Sequence, residues 1–290
     1  MVTKFSPDGQ NIIWSTYFNG SLSQNLSIGI NSFAASDAGE VAFGLDRAPD
    51  GLPLVSATQV FDGAQTNGYI AKLNAAGNGL EFSTYINLGG ASFATVRGLD
   101  VSPTGNVADT GMVGDSNSLP VVIGIPGQSC TMNVSVSERN DGYVALFNPD
   151  GTLSFSSCLG GDLADGSSTE QLRGVAFGDN GDLYVVGYSA MTNFPVVNPV
   201  QATKNVSGDR EMTISQIDPL TGTLVFSTWF GTTSSGHPPR SGQDYDSFSS
   251  FSYLFPWDIE VDSNGSIIVT GTVASLNYPT VNAIQTNMAV

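Results

Sequence analysis

The segment from 231 to 257, GTTSSGHPPRSGQDYDSFSSFSYLFPW, concentrates side chains that could bind a carbohydrate. Aromatic faces stack on sugar rings, while Arg and Asp side chains hydrogen-bond to hydroxyl and carboxylate groups. Long stretches without regular structure are also often functional. The segment therefore predicts a sugar-binding lip, and the alternative is a solvated loop anchored by its own aromatic residues. Its candidate ligand-binding residues are Arg240, Asp244, Tyr245 and Trp257.

The same segment contains the single histidine of the chain, His237, within HPPR. A histidine can act as a general base, with Tyr245 as the acid and Arg240 neutralising the carboxylate of a uronic acid, which is the chemistry of a polysaccharide lyase. A lone histidine in a proline-rich loop is also an ordinary surface residue. The chain has no GxSxG or HExxH motif and no phosphate-binding glycine loop. We therefore expect a noncatalytic protein and keep the lyase as the alternative.

Two arginines stand at equivalent places in the repeated pattern described below. The residue just before the first strand of each inner hairpin is Asn31, Arg97, Arg173 or Trp257, in a chain with only nine Lys and Arg residues. The planar guanidinium suits a carboxylate or sulfate. We expect Arg97 and Arg173 to bind an anionic ligand at the mouth of a central channel. The alternative is an ion pair with nearby Asp100 or Glu170.

Metal binding has little support in the sequence. GDLADGS (161–167) places Asp162 and Asp165 in a glycine-rich loop, and the turns DSNG and DNGD offer further oxygen atoms. None of these stretches shows the alternating ligands of a calcium loop, and hydrogen bonds within the turns account for them. We therefore expect no metal site and no cofactor, with calcium as a weaker alternative.

Two kinds of hairpin recur along the chain and must position these residues. The first ends in IIWSTYF (12–18), LEFSTYI (80–86), LSFSSCL (153–159) or LVFSTWF (224–230). The second reads SFAASDAGEVAFGL (32–45), GLDVSPTGNVADTG (98–111), GVAFGDNGDLYVVG (174–187) or DIEVDSNGSIIVTG (258–271). Asp, Asn and Gly at the turns favour tight hairpins, and no segment has the 3.6-residue apolar period of a helix.

A third recurring phrase contains proline: GLPLVSATQ (51–59), SLPVVIGIPGQ (118–128), NFPVVNPVQ (193–201) and NYPTVNAIQ (277–285). Repetition at these intervals indicates a repeated structural unit. The residue before each proline is disfavoured in a helix. We expect the phrase to cross the top of a sheet in extended conformation and to bury Phe194 or Tyr278 beneath itself.

Four-stranded antiparallel units repeated along a chain predict an all-β protein, and specifically a β-propeller. We expect one domain over 1–290, with repeats at about 1–67, 68–140, 141–210 and 211–290. A sandwich or a β-solenoid is the alternative, but neither predicts such regular pairs of hairpins.

The hairpins DGYVALFNPDGTLSFSSCLGG and LRGVAFGDNGDLYVVGYSAMTNFPVVNPVQ resemble the SBBP β-propeller repeat family, which occurs in bacterial secreted and cell-surface proteins. The likeness covers essentially the whole chain and is best in the third repeat. The resemblance implies a propeller of about seven blades and an extracellular or cell-surface location. It implies no activity, because the family shares a fold rather than a catalytic motif.

The order of the hairpins bears on ring closure. The first hairpin of the chain is of the outer type and the last is of the inner type, so strands at 2–5 and 11–18 could complete a sheet begun by 258–271. Closure would remove two unpaired edges and give a four-bladed ring. The alternatives are part of a seven-bladed ring in a longer parent chain, or an eight-bladed homodimer.

Charge and cysteine content restrict partners and location. The chain has 26 acidic and 9 basic residues, a net charge of −17, which disfavours nucleic acids and anionic membranes as partners. No apolar run is long enough to insert in a membrane. A glycan or a protein surface is the expected partner, and the turn-rich composition favours an extracellular protein. Cys130 and Cys158 allow one disulfide bond.

Overall fold

The computed structural model describes residues 1–19, 29–61, 63, 67–86, 94–114, 120–128, 130, 140–161, 170–205, 210–232, 254–273 and 278–285. All regular secondary structure in these residues is β-strand, as the hairpin patterns predict. None of the described segments is a helix long and apolar enough to cross a membrane.

Sixteen strands are described, and they follow one another as hairpins. They are β1 (Val2–Phe5), β2 (Ile12–Thr16), β3 (Ile30–Ala35), β4 (Val41–Ala48), β5 (Asn67–Leu73), β6 (Leu80–Ile86), β7 (Ala94–Val101), β8 (Val107–Gly114), β9 (Asn140–Phe147), β10 (Leu153–Leu159), β11 (Glu170–Phe177), β12 (Leu183–Ser189), β13 (Glu211–Asp218), β14 (Thr223–Phe230), β15 (Leu254–Val261) and β16 (Ile267–Val273).

The strands form three antiparallel sheets of four strands and two hairpins that stand alone. The complete sheets have the orders β3-β4-β5-β6, β7-β8-β9-β10 and β11-β12-β13-β14, so each joins an inner hairpin to the outer hairpin that follows it in the chain. The pair β1-β2 is an outer hairpin and the pair β15-β16 an inner hairpin, and neither is joined to a complementary hairpin among the described strands. Glycines in the left-handed conformation close the turns, as at Gly105 with φ of 84°.

The apolar core lies between successive sheets. The first strand of each sheet contacts the first and second strands of the sheet before it: β7 contacts β3 and β4, β11 contacts β7 and β8, and β15 contacts β11 and β12. Separate clusters of buried side chains fill the spaces between the sheets, and Phe82 and Phe147 stack with ring centroids 5.7 Å apart in one of them. The first strands of the sheets are therefore neighbours in space.

The proline phrase lies along the outer edge of a sheet, not across its top as the sequence predicts. Val197 pairs with Ser227 of β14, and the Ser227 hydroxyl donates to the Pro195 carbonyl at 2.6 Å. Phe194 is buried as expected, with its ring edge-on to Trp229 at 5.4 Å. The phrase covers a strand edge that would otherwise be unpaired, which is a common way to protect a sheet.

The same arrangement explains why two phrases recur together. Val55 pairs with Ser83 and Val122 with Ser156, so the serine of each FST or FSS stretch meets the valine of a proline phrase. The residue three places after each proline has a positive φ, between 46° and 51°, which turns the chain along the strand. These residues are Ser56, Ile123, Asn198 and Asn282.

The ends of the chain do not close a four-sheet ring within the described residues. There, β16 is hydrogen-bonded only to β15, and β1 only to β2. The predicted composite sheet of 2–5, 11–18 and 258–271 is therefore not formed inside one chain.

Candidate functional site

A one-residue bulge interrupts the first strand of every inner hairpin. In β11, Leu172 pairs with Gly187 and Gly174 with Val186, so Arg173 has no opposite residue. A bulge re-aims the side chain of the extra residue and often occurs beside functional sites. The four bulge residues are Asn31, Arg97, Arg173 and Trp257. The sequence groups them correctly as equivalent, but they lie within the strands and not just before them.

Glycines opposite three of the bulges allow this geometry. A Cβ at Gly187 would lie 2.2 Å from the carbonyl oxygen of Gln171, and one at Gly111 would lie 1.7 Å from that of Thr95. These distances are shorter than any side chain tolerates. Gly271 stands at the same place opposite the bulge of β15. Glycine inside a strand often marks a bulge or a close approach of another backbone, and this was the available signal for the site.

The structure brings Arg173 and Trp257 together. The Arg173 guanidinium carbon lies 4.6 Å from the centre of the Trp257 ring and 6.0 Å from that of Phe255, both within cation–π range. Trp257 donates through Nε1 to Thr272 at 2.8 Å, which holds the indole in place, and 55% of the residue stays exposed. The result is a half-buried guanidinium against an accessible aromatic surface.

Buried polar groups orient Arg173. Its Nη1 donates to Gln171 Oε1 at 2.9 Å, and the Tyr188 hydroxyl donates to the same oxygen at 3.1 Å. Gln171 and Tyr188 are both buried. Burial lowers the pKa of Arg173, and the positive charge of Arg97 lowers it further, so the two bulge arginines act on each other.

Arg210 belongs to the same site and is not among the residues that the sequence indicated. Its guanidinium carbon lies 5.0 Å from the Tyr188 ring centre and 5.8 Å from that of Phe255. Arg173 and Arg210 therefore contact the same phenylalanine ring. Among the described residues, neither has a carboxylate at ion-pair distance. Arg210 directly precedes β13 rather than standing in a repeated position, so the alignment of repeats gave no signal for it.

Arg97 is already paired with a carboxylate. Its Nη1 lies 2.9 Å from Asp46 Oδ2, and Asp46 also accepts a hydrogen bond from the Val96 backbone N–H at 2.8 Å. The alternative of a pair with Asp100 or Glu170 is therefore wrong for this arginine. Asp46 lies on β4, the second strand of the preceding sheet, so stacking of sheets creates the pair across 51 residues of sequence.

Asp100 and Glu170 serve the backbone instead of the arginines. Asp100 accepts hydrogen bonds from Val101 N–H at 2.7 Å and Phe177 N–H at 2.8 Å, the second of which joins neighbouring sheets. Glu170 accepts from the Gly161 N–H at 2.8 Å and from the Ser189 hydroxyl. Both carboxyls are buried or nearly so, and burial raises their pKa.

Several predicted residues lie outside the described ones. They are His237, Arg240, Asp244 and Tyr245 of the sugar-binding lip and the alternative lyase site, and Asp162 and Asp165 of the alternative calcium loop. In the part of the chain that is described, no group of three or more His, Cys, Asp or Glu side chains is arranged to hold a metal ion.

Cys130 and Cys158 are joined in a disulfide bond with Cα atoms 5.2 Å apart. Cys158 lies on β10, and Cys130 follows the proline phrase that runs along this strand. Both residues are buried. The bond therefore ties the covering phrase to the outer strand at the position where the neighbouring sheet instead places Phe194 against Trp229.

Comparison with known proteins adds no family. No protein-family model matches the chain, and no curated protein matches it. The resemblance to the SBBP repeats stays a prediction.

Proposed function

We propose that this chain is a noncatalytic binding module that recognises an acidic carbohydrate at its bulge residues. The observation that carries the proposal is the pair of guanidinium groups, Arg173 and Arg210, that both lie within cation–π distance of Phe255, with Arg173 also against the exposed Trp257. In a chain of net charge −17, two cations without a carboxylate partner in the described region form a local positive spot.

The ligand class follows from the chemistry of these side chains. A guanidinium offers parallel N–H donors to a carboxylate or sulfate, and an exposed indole offers a flat apolar face to a sugar ring. Uronic acids and sulfated sugars combine both features. Charge screening over about 8 Å at physiological salt limits the attraction to this spot, while the rest of the protein repels polyanions. Binding should therefore be weak and should fade with added salt.

We further propose that the sheets are blades of a β-propeller. This is supported by the succession of four-stranded antiparallel sheets whose first strands are neighbours, with a core between each pair of faces. In such a fold the four bulge residues would surround one axis. An extracellular location is part of the proposal and is supported by the disulfide bond, which persists in oxidising compartments.

Isothermal calorimetry with oligogalacturonate and with a sulfated oligosaccharide tests the binding proposal. Replacing Arg173 or Arg210 with Gln removes a charge-assisted hydrogen bond, worth about 1.5–3 kcal/mol, and should weaken binding by about 10- to 150-fold. Trp257→Ala should weaken binding as well. Lys4→Gln is the matched control, because it removes one positive charge far from the bulges and should leave affinity unchanged.

The outcome can contradict the proposal in two ways. In the first, the wild-type protein binds neither oligosaccharide. In the second, the Arg173→Gln and Arg210→Gln variants bind an oligosaccharide as tightly as the wild type does. Arg173→Lys separates simple charge from geometry: it keeps the charge and loses the planar donor pair, so its affinity should fall between those of the wild type and Arg173→Gln.

A further inference from the structure

The lone hairpins β15-β16 and β1-β2 are complementary halves of one sheet. In the complete sheets the second strand pairs with the third, as β12 does with β13. β16 is a second strand and β1 is a third strand: the irregularity between Lys4 and Phe5 in β1 repeats the one between Lys72 and Leu73 in β5. Within the described residues, each therefore has one edge without its usual neighbour.

Large apolar side chains are exposed on these halves where the complete sheets bury them. Tyr17, just after β2, is 92% exposed, whereas its counterparts Tyr85 in β6 and Trp229 in β14 are 1% exposed. Phe5 is 57% exposed, whereas Ile217 at the same position of β13 is fully buried. These residues keep the apolar character of a core position without having a core around them.

Two further exposed residues would meet each other across a junction of the halves. Phe33 of β3 is 73% exposed and Ile268 of β16 is 54% exposed. Their counterparts in consecutive complete sheets, Val175 of β11 and Ala108 of β8, are buried in one apolar cluster. A sheet that brought β16 against β3 would bury Phe33 on Ile268 in the same way.

Within the described residues, no outer strand lies beside the last proline phrase. Asn282 has a φ of 51°, close to the 46° of Asn198, so the phrase has the backbone turn of the copies that line an outer strand. Val281 is nevertheless 86% exposed, whereas its counterpart Val197 pairs with Ser227 of β14. The outer strand that would follow β15-β16 is of the β2 type, in which Ser15 takes the place of Ser227.

We propose that a second copy of this chain supplies the missing half, so that β15 and β16 of one copy and β1 and β2 of the other form one four-stranded sheet. Transferring the β12–β13 register gives the pairs Ile267 with Phe5 and Val269 with Thr3. Val281 of the first copy then pairs with Ser15 of the second. This one arrangement pairs the free edges of β1 and β16, buries the exposed apolar residues and places the last proline phrase along an outer strand.

Two copies related by a two-fold axis make this junction twice. The result is a closed ring of eight four-stranded sheets: three lie within each chain and two are shared between the chains. Propellers of eight blades are within the usual range. Closure removes every unpaired edge of β1 and β16, which is why a pair is favoured over an open chain of copies. The inference rests on the proposed propeller and is independent of carbohydrate binding.

Light scattering coupled to size exclusion tests the assembly. The wild-type protein should have a mass of about 60 kDa, twice the 30.2 kDa of the chain. Ile268→Asp places a charge in both junctions and should give a 30 kDa species. Leu220→Asp is the matched control, because Leu220 is 82% exposed in the β13–β14 turn and should leave the pair intact. A monomeric wild type, open polymers, or an Ile268→Asp dimer would overturn the proposal.

A register test does not depend on the stability of these variants. Thr3→Cys combined with Val269→Cys should form a disulfide bond between chains, seen as a covalent dimer on a non-reducing gel and located by peptide mass spectrometry. Thr3→Cys with Ile268→Cys is the control, because neighbouring residues of a strand point to opposite faces and should not crosslink. A bond within one chain, or no bond in the first variant, would refute pairing between copies while leaving the calorimetric test untouched.

Discussion

Glu170 should make the protein less stable as pH rises from mildly acidic to mildly alkaline. It is 1% exposed at the start of β11, and burial raises its pKa to about 8 although Ser189 and Gly161 donate hydrogen bonds to it. In the unfolded chain its pKa returns to about 4.5. Between these values the folded protein holds a proton that the unfolded chain has lost.

The sign and the size follow from proton linkage. A group whose pKa is higher in the folded state contributes stability below its unfolded pKa and loses that contribution as pH rises through its folded pKa. Each pH unit in the window is worth about 1.4 kcal/mol, so the interval from 4.5 to 8 corresponds to a loss of up to about 5 kcal/mol in the free energy of unfolding. The carboxyl of Glu170 alone therefore outweighs most surface interactions.

Urea unfolding of the wild type and Glu170→Gln between pH 4.5 and 8.5 measures this contribution. Glutamine keeps the shape and can still accept from Gly161, but it does not ionise. The wild type should lose stability relative to the variant as pH rises, with the difference levelling near pH 8. Asp218→Asn is the control: the Thr221 hydroxyl lowers the Asp218 pKa, so this carboxyl titrates below the window. Parallel curves for wild type and Glu170→Gln would refute a proton held by Glu170.

Two further predictions concern the covered edge and the bulges. Replacing Cys130 and Cys158 with Ala opens a loop of 28 residues and should lower the free energy of unfolding by about 3.5 kcal/mol. Urea unfolding under oxidising conditions measures this loss, and an unchanged midpoint would contradict the prediction. Gly187→Ala should cost about 1–3 kcal/mol in the same assay, because its Cβ would overlap the Gln171 carbonyl oxygen. Gly29→Ala should cost little, because its Cβ would meet only the Asn31 side-chain oxygen, at an ordinary contact distance of 3.5 Å. Equal effects of the two substitutions would argue against the tight bulge.

Strands and turns were predictable because their signals are local. In GVAFGDNGDLYVVG, alternation of apolar residues and an Asp-Asn-Gly turn indicate a hairpin, and the structure has β11 and β12 on either side of that turn. Such features depend on the conformations available to a few adjacent residues. The repetition of the same signals along the chain then indicated that the hairpins belong to repeated antiparallel units.

The contacts of the site were not predictable, because they join residues that are distant in sequence. Arg97 meets Asp46 and not the nearby Asp100, since consecutive sheets stack face to face and bring the second strand of one beside the first strand of the next. Arg210 directly precedes β13, and it reaches Phe255 because β15 packs against the sheet that contains β13. Periodicity and turn residues contain no information about which loop of one sheet faces which strand of another.

The bulges explain how a repeated scaffold can hold a site that is not repeated. A residue within a regular ladder must fit its cross-strand partner and the neighbouring sheet, which restricts its type. A bulge residue has no opposite partner, and at three of the four bulges a glycine across from it supplies the space that the backbone needs. Asn31, Arg97, Arg173 and Trp257 therefore differ in charge, size and polarity at one structural position while the strands around them stay alike. The side chain at the bulge can therefore change from sheet to sheet without a change in the core of that sheet. Because of this independence, Arg173 of one repeat can lie beside Trp257 of another.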